Sequence, residues 1–188
     1  MIAMNCRSVL FVLAIIGVLS PAGEASLVEA VRESGVRGGF VVQVGASDPA
    51  ITATLRLNES YQVHGLSVDA AAVRKSRAEL HARGLYGPVS VEQFDGKALP
   101  YIENLVNLIV AEDPGQVSEE EMLRVLVPDG VALVRHGETW RRIVKPRPEA
   151  IDDWTHYFHS PSGNAVAQDA EVGPPRRMQW VGSPRWSR

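Results

Sequence analysis

The residues with the strongest claim to chemistry all follow short apolar runs. Gly39 to Val44 is apolar and rich in β-branched residues, long enough for a buried strand and too short for a helix. It leads into Gly45-Ala46-Ser47-Asp48-Pro49, a turn of small residues, and then into ITATLRLN (51–58), which reads as a helix. Strand, tight turn and helix is how a doubly wound nucleotide-binding sheet opens, because the turn lets a ligand approach the helix start. Three further clusters end apolar runs in the same way: Ser67-Val68-Asp69, Asp95-Gly96 and Glu112-Asp113. Hydroxyls, carboxylates and flexible glycines at strand ends suit the holding of a small-molecule ligand.

Other constellations are weaker. Ser47 does not open a hydrolase elbow, which has glycine two residues to either side of the serine; Gly45 is present but Pro49 replaces the second. His64 sits in a strand run and reads as a packed histidine. Asp152, Asp153, His156 and His159 could bring ligands to one helical face for a metal, but a third defined ligand is missing and Trp154 and Tyr157 interleave. Packing or an interface is the favoured use, and no metal is expected. Arg141, Arg142, Lys145 and Arg147 read as one solvated edge, and Arg176 and Arg177 similarly. The net charge of −3 gives no general electrostatic attraction to nucleic acid, so none is expected as a partner. The single cysteine, Cys6, excludes a disulfide framework and a cysteine metal cluster.

The elements that must position these residues alternate in type. A short helix capped by Ser26 and stopped by Gly35 precedes the first strand. Tyr61 to Leu66 reads as a second strand, with Asp69 as N-cap of an amphipathic helix from Ala70 to about Arg83. Pro88 to Phe94 is a third strand, and Leu105 to Ala111, nearly all apolar, a fourth and central one. Ser118 and Glu121 form a capping box for a helix through Leu126. Pro128-Asp129-Gly130 then turns into a fifth strand, Val131 to Val134, and His136-Gly137-Glu138 into a hairpin partner, Trp140 to Val144. The fold class expected is α/β: a Rossmann-like, doubly wound, mostly parallel sheet with an irregular C-terminal extension.

The 188 residues suit one globular domain with an attached segment. Residues 1–25 read as a secretory signal: Arg7, the apolar run Val9 to Leu19, Pro21, and small residues at Gly23-Glu24-Ala25. The run is short of the roughly 20 residues a bilayer span needs, so no stable span is expected after cleavage, and the mature chain is expected to be exported, periplasmic or secreted. The domain then covers 26–145. From Pro146 to Arg188 the chain is rich in proline and aromatic residues and has no sustained periodicity.

Taken together, residues from Val36 to Lys145 resemble the class I S-adenosylmethionine-dependent methyltransferase family. FVVQVGASDP stands where that family has its first strand and glycine loop, and YQVHGLSVDAAAVRKSR where it has its second strand and helix. FDGKALPYIENLVNLIVAED and EEMLRVLVPDGVALV are similar to its adenine-side loop, fourth strand, next helix and fifth strand. The resemblance implies S-adenosylmethionine as cofactor, with Gly45, Ala46, Ser47, Ser67, Val68, Asp95, Gly96 and Glu112 as the residues holding it, and methyl transfer to an unspecified acceptor. Gly45 matches the family's first loop glycine, whereas Ser47 and Pro49 replace the second and third. Ser67 stands where the family has a ribose-binding carboxylate, and Gln43 replaces a first-strand acid. Those departures point to the alternative, a degenerate non-catalytic structural or binding domain; a dinucleotide-dependent dehydrogenase is a third reading. The tail from Asp152 is similar to the segment joining such a domain to a PQQ-like β-propeller in exported bacterial proteins, which implies a C-terminal propeller domain as partner.

Overall fold

Six strands form one sheet, in the order β3-β2-β1-β4-β5-β6. The structure is a computed structural model, and it describes residues 22–137 and 139–170. The expected signal over residues 1–25 lies largely outside the described residues, and Arg176 and Arg177 wholly so. The strands are β1 (Gly39–Val44), β2 (Tyr61–Ser67), β3 (Val89–Gln93), β4 (Val106–Ala111), β5 (Leu126–His136) and β6 (Thr139–Val144). The first five pair in parallel, and β6 returns antiparallel to β5 through the hairpin. This is the mostly parallel α/β sheet that the alternation of elements predicts.

The helices are α1 (Ala22–Glu33), α2 (Pro49–Thr54), α3 (Ala70–Ala82) and α4 (Glu119–Val125). Two apolar layers flank the sheet. One joins Val41, Val63, Leu108 and Val110 to Leu27 and Val31 of α1 and Val73 and Leu80 of α3. The other joins Val42, Val44, Ile109 and Ala132 to Met122 and Val125 of α4 and to Leu99. Central β1 and β4 are covered on both faces, which is why their sequences show no alternation.

Four local readings need correction. Helix α1 begins at Ala22, so Ser26 lies inside it and not at its start. Helix α2 starts at Pro49, two residues before Ile51, because Asp48 accepts from Ala50 N at 2.8 Å and Pro49 occupies the first helical position, and it stops at Thr54, short of Asn58. Pro128-Asp129-Gly130 lies within β5 as an irregularity, with Asp129 at φ 64°, instead of preceding the strand. The capping box is half made: Ser118 Oγ accepts from Glu121 N, but the Glu121 side chain goes to Leu99 N. Beyond Pro146 the described chain has turns and one isolated bridge, His156 to His159.

Candidate functional site

The C-terminal ends of β1, β2 and β3 and the loop after β4 enclose a cavity of about 370 Å³. Its wall contains Val44 and Gly45 from the first strand end and Ser67 and Val68 from the second. Phe94, Asp95 and Gly96 come from the third, and Asp113, Pro114, Gly115 and Gln116 follow the fourth. Ligands in open parallel sheets bind at this rim. The structure therefore brings Gly45, Ser67, Val68, Asp95 and Gly96 together.

Gly45 sits where a side chain is excluded twice over. Its φ is +84°, and a Cβ there would lie 3.1 Å from the backbone oxygen of Asp113. Its N–H and that of Ala46 both donate to Leu66 O, at 3.0 and 2.9 Å, so the turn is closed onto β2. A second glycine makes room for this: a Cβ on Gly65 would lie 2.8 Å from Ala46 Cβ, and so Gly65 lets the turn and α2 settle on β2.

Ser67 is 6% exposed, and its Oγ accepts the Asp69 N–H at 3.3 Å. Its own hydroxyl proton remains available to a ligand. Asp69 caps α3 by accepting from Ala71 N at 2.8 Å. Phe94 N donates to Ser67 O, tying the ends of β2 and β3 together. Asp95 Oδ1 accepts from Lys97 N at 2.8 Å and Ala98 N at 2.9 Å, and these two N–H groups hold its carboxyl below the ordinary range. It is therefore an ionised acceptor at neutral pH. Asp113 accepts from Gly115 N at 3.0 Å, which shapes the opposite wall.

Three residues of the expected set stand apart from this wall. Ala46 is buried beneath α2, Ser47 is exposed on the turn, and Glu112 is directed to Arg135, 3.9 Å away. Pro49 is buried at the start of α2. Neither replacement in the glycine loop fills the cavity. The eight residues expected to hold the cofactor omit Val44, Phe94, Asp113, Pro114, Gly115 and Gln116 from the wall; the Asp-Pro-Gly sequence after an apolar strand was the available signal for the last part. In the tail, His159 Nε2 meets Asp152 Oδ2 at 2.5 Å and packs edge-on against Trp154, an internal pairing. Among the described residues no group of three or more His, Cys, Asp or Glu could hold a metal ion, and no helix is long and apolar enough to cross a membrane.

Comparison with known proteins converges on one fold. No family model matches the chain. The ubiquinone/menaquinone biosynthesis C-methyltransferase UbiE of Yersinia pestis bv. Antiqua is 31% identical over 147 residues, covering 73% of this chain and 58% of the relative. UbiE of Yersinia pseudotuberculosis serotype I matches equally. The chain thus spans little more than half the length of these relatives. Among solved structures, the [4+2]-cyclase SpnF is 27% identical with a TM-score of 0.51, covering 57% of this chain and 43% of its own. A geranyl diphosphate C-methyltransferase from Streptomyces coelicolor A3(2), in complex with Mg2+, geranyl diphosphate and S-adenosyl-L-homocysteine, has a TM-score of 0.53 at 16% identity, covering 59% and 45%. The sheet order and these likenesses show the Rossmann-like fold of methyltransferases, and over 147 residues the sequence is similar to UbiE.

Proposed function

We propose that the rim cavity binds S-adenosylmethionine and that the domain transfers its methyl group to a small-molecule acceptor. One observation carries this: a single cavity runs from Gly45 to Asp95, and Ser47 and Pro49 stand outside it. The residues present suit the group. Gly45 leaves the backbone bare where the methionyl part would pass, the Ser67 hydroxyl can donate to or accept from one ribose hydroxyl, and ionised Asp95 can accept from the adenine amino group. When bound, the cofactor supplies a methyl already activated on a sulfonium sulfur. What remains for the chain is to orient the donor, hold the acceptor in line and exclude water.

The degenerate reading keeps one specific support. Ser67 offers one hydroxyl where two ribose hydroxyls would need a carboxylate, and its Oγ is already engaged by Asp69 N. The fold alone does not decide between the readings, since a [4+2]-cyclase shares it. Calorimetry with S-adenosylmethionine and S-adenosylhomocysteine does. Micromolar binding, about −8 kcal/mol, supports the cofactor site; no heat at high micromolar ligand removes it and leaves the non-catalytic domain.

Export and a propeller partner are part of the same proposal, supported by the apolar run Val9 to Leu19 and by the tail's resemblance. N-terminal sequencing of the chain recovered from the producing cell should start after Ala25; retention of Met1 would overturn export.

A further inference from the structure

The same end of the sheet carries a second arrangement, outside the wall of the cavity. The pairing registers align Val44, Ala111 and Val134, and Gly45, Glu112 and Arg135 are the residues that follow them at this end of the sheet. Arg135 also pairs across the hairpin with Trp140. Its guanidinium lies over the Trp140 ring, 5.7 Å from the centroid, and its Nε donates to Gly137 O at 3.2 Å. Trp140 is itself packed against the core, so this platform is fixed. Among the described residues the one carboxylate paired with it is Glu112, at 3.9 Å, beyond hydrogen-bond reach. The terminal N–H groups of Arg135 therefore have no hydrogen-bond acceptor among the described residues, and the side chain is 35% exposed.

A held, partly dehydrated guanidinium with an open fork is a receptor for a planar anion. Glu112 sets the charge it tolerates: its own negative charge offsets a dianion such as a phosphate monoester more than a single carboxylate. We propose that Arg135 anchors a carboxylate on the methyl acceptor, with Trp140 as its platform, placing the acceptor beside Gly45 and Asp113. This deepens the methyltransferase reading and rests on it for the word acceptor, but the anion subsite can be tested separately.

The test uses the full chain and ligand-observed NMR titrations with benzoate, benzamide and phenyl phosphate, each with and without S-adenosylhomocysteine. Benzoate is expected to bind about tenfold or more tightly than benzamide, since a hydrogen bond to a charged group is lost in the amide. Arg135→Met keeps the apolar stem on Trp140 and should remove that preference while leaving S-adenosylhomocysteine affinity unchanged. Arg135→Lys should give an intermediate preference, and Glu112→Gln should strengthen benzoate binding. Equal binding of acid and amide, absence of binding by either, an unaffected Arg135→Met chain, or tighter binding of phenyl phosphate each overturns the subsite. Arg135-dependent benzoate preference without any S-adenosylhomocysteine binding sustains the subsite and removes the cofactor reading. S-adenosylhomocysteine binding without that preference does the reverse.

Discussion

The carboxylate of Glu121 accepts the backbone N–H of Leu99 at 2.7 Å, joining helix α4 to the loop that leaves Asp95. Arg124 completes the clamp. It pairs with Glu121 and donates to the carbonyls of Tyr101 at 3.0 Å and Leu99 at 3.2 Å. The loop between Gly96 and Asn104 has no helix or strand of its own, so its backbone polar groups depend on such partners. The loop that follows Asp95 and Gly96 of the cavity wall is thereby tied to α4.

Arg124→Ala should destabilise the fold by about 1–3 kcal/mol, because two loop carbonyls and a carboxylate lose their donor together. Glu121→Gln keeps an acceptor for Leu99 N and should cost less. The Arg124 hydrogen bond, then the Leu99 N–H, holds the Glu121 carboxyl below its ordinary 4.5. A lowered folded-state value stabilises the fold above the ordinary one, and that stabilisation is lost as pH falls through the folded value. Denaturant melts over the acid limb should show this loss in the wild type and a weaker one in Arg124→Ala; identical acid limbs would remove the clamp.

Gly45→Ala tests the turn. A left-handed φ costs a non-glycine residue about 1–2 kcal/mol, and the added Cβ meets the Asp113 carbonyl at 3.1 Å. Lower stability together with at least about tenfold weaker S-adenosylhomocysteine binding is expected, since both strand end and cavity wall must shift. Unchanged binding in calorimetry would place the ligand elsewhere.

Periodicity and turn chemistry suffice for much of this. Apolar runs mark the central strands β1 and β4, and Asp69 and Gly84 bracket α3 as local rules require. What escapes them is long-range. Nothing local to Glu121 says that its side chain will leave the capping box for Leu99, twenty-two positions away. Nor does Asp113 announce that its carbonyl will press on Gly45. Conversely, Ser47 and Pro49 look disabling by position, yet the bend at Gly45 and the capping of α2 by Asp48 turn them out of the cavity. Sequence identifies the members of the rim more readily than it identifies which of them face inward.

That distinction makes a prediction. If Ser47 stands outside the cavity, Ser47→Gly should leave cofactor affinity unchanged, and Pro49→Gly should lower stability through the start of α2 without improving binding. Ser67→Asp is different, because position 67 is in the wall. A carboxylate bonded to ribose hydroxyls should raise S-adenosylhomocysteine affinity about tenfold or more, as bonds to charged groups contribute roughly 1.5–3 kcal/mol. Calorimetry on the three single variants separates the cases; a gain from Ser47→Gly alone would mean the loop lies differently.

The last prediction concerns a chain of three side chains on the other half of the sheet. Tyr101 O–H and His64 Nδ1 are 2.8 Å apart, and His64 Nε2 lies 3.6 Å from Glu92. Burial raises the Tyr101 hydroxyl well above its ordinary value, so it stays protonated and donates to Nδ1, which leaves the imidazole proton on Nε2, toward Glu92. Burial also lowers His64 below 6.5; Glu92 works against that shift and Arg77 with it, and desolvation prevails. The unfolded chain therefore takes up a proton first on acidification. Stability should be full above about pH 6.5 and should fall as pH drops toward the folded value. His64→Gln, which cannot titrate, should flatten this part of the profile. Tyr101→Phe, which leaves Nδ1 without its donor, should cost about 1 kcal/mol near neutral pH. A wild-type profile that rises on acidification through this range would show that Glu92 prevails over desolvation at His64, and a flat one that the two cancel; either overturns the prediction.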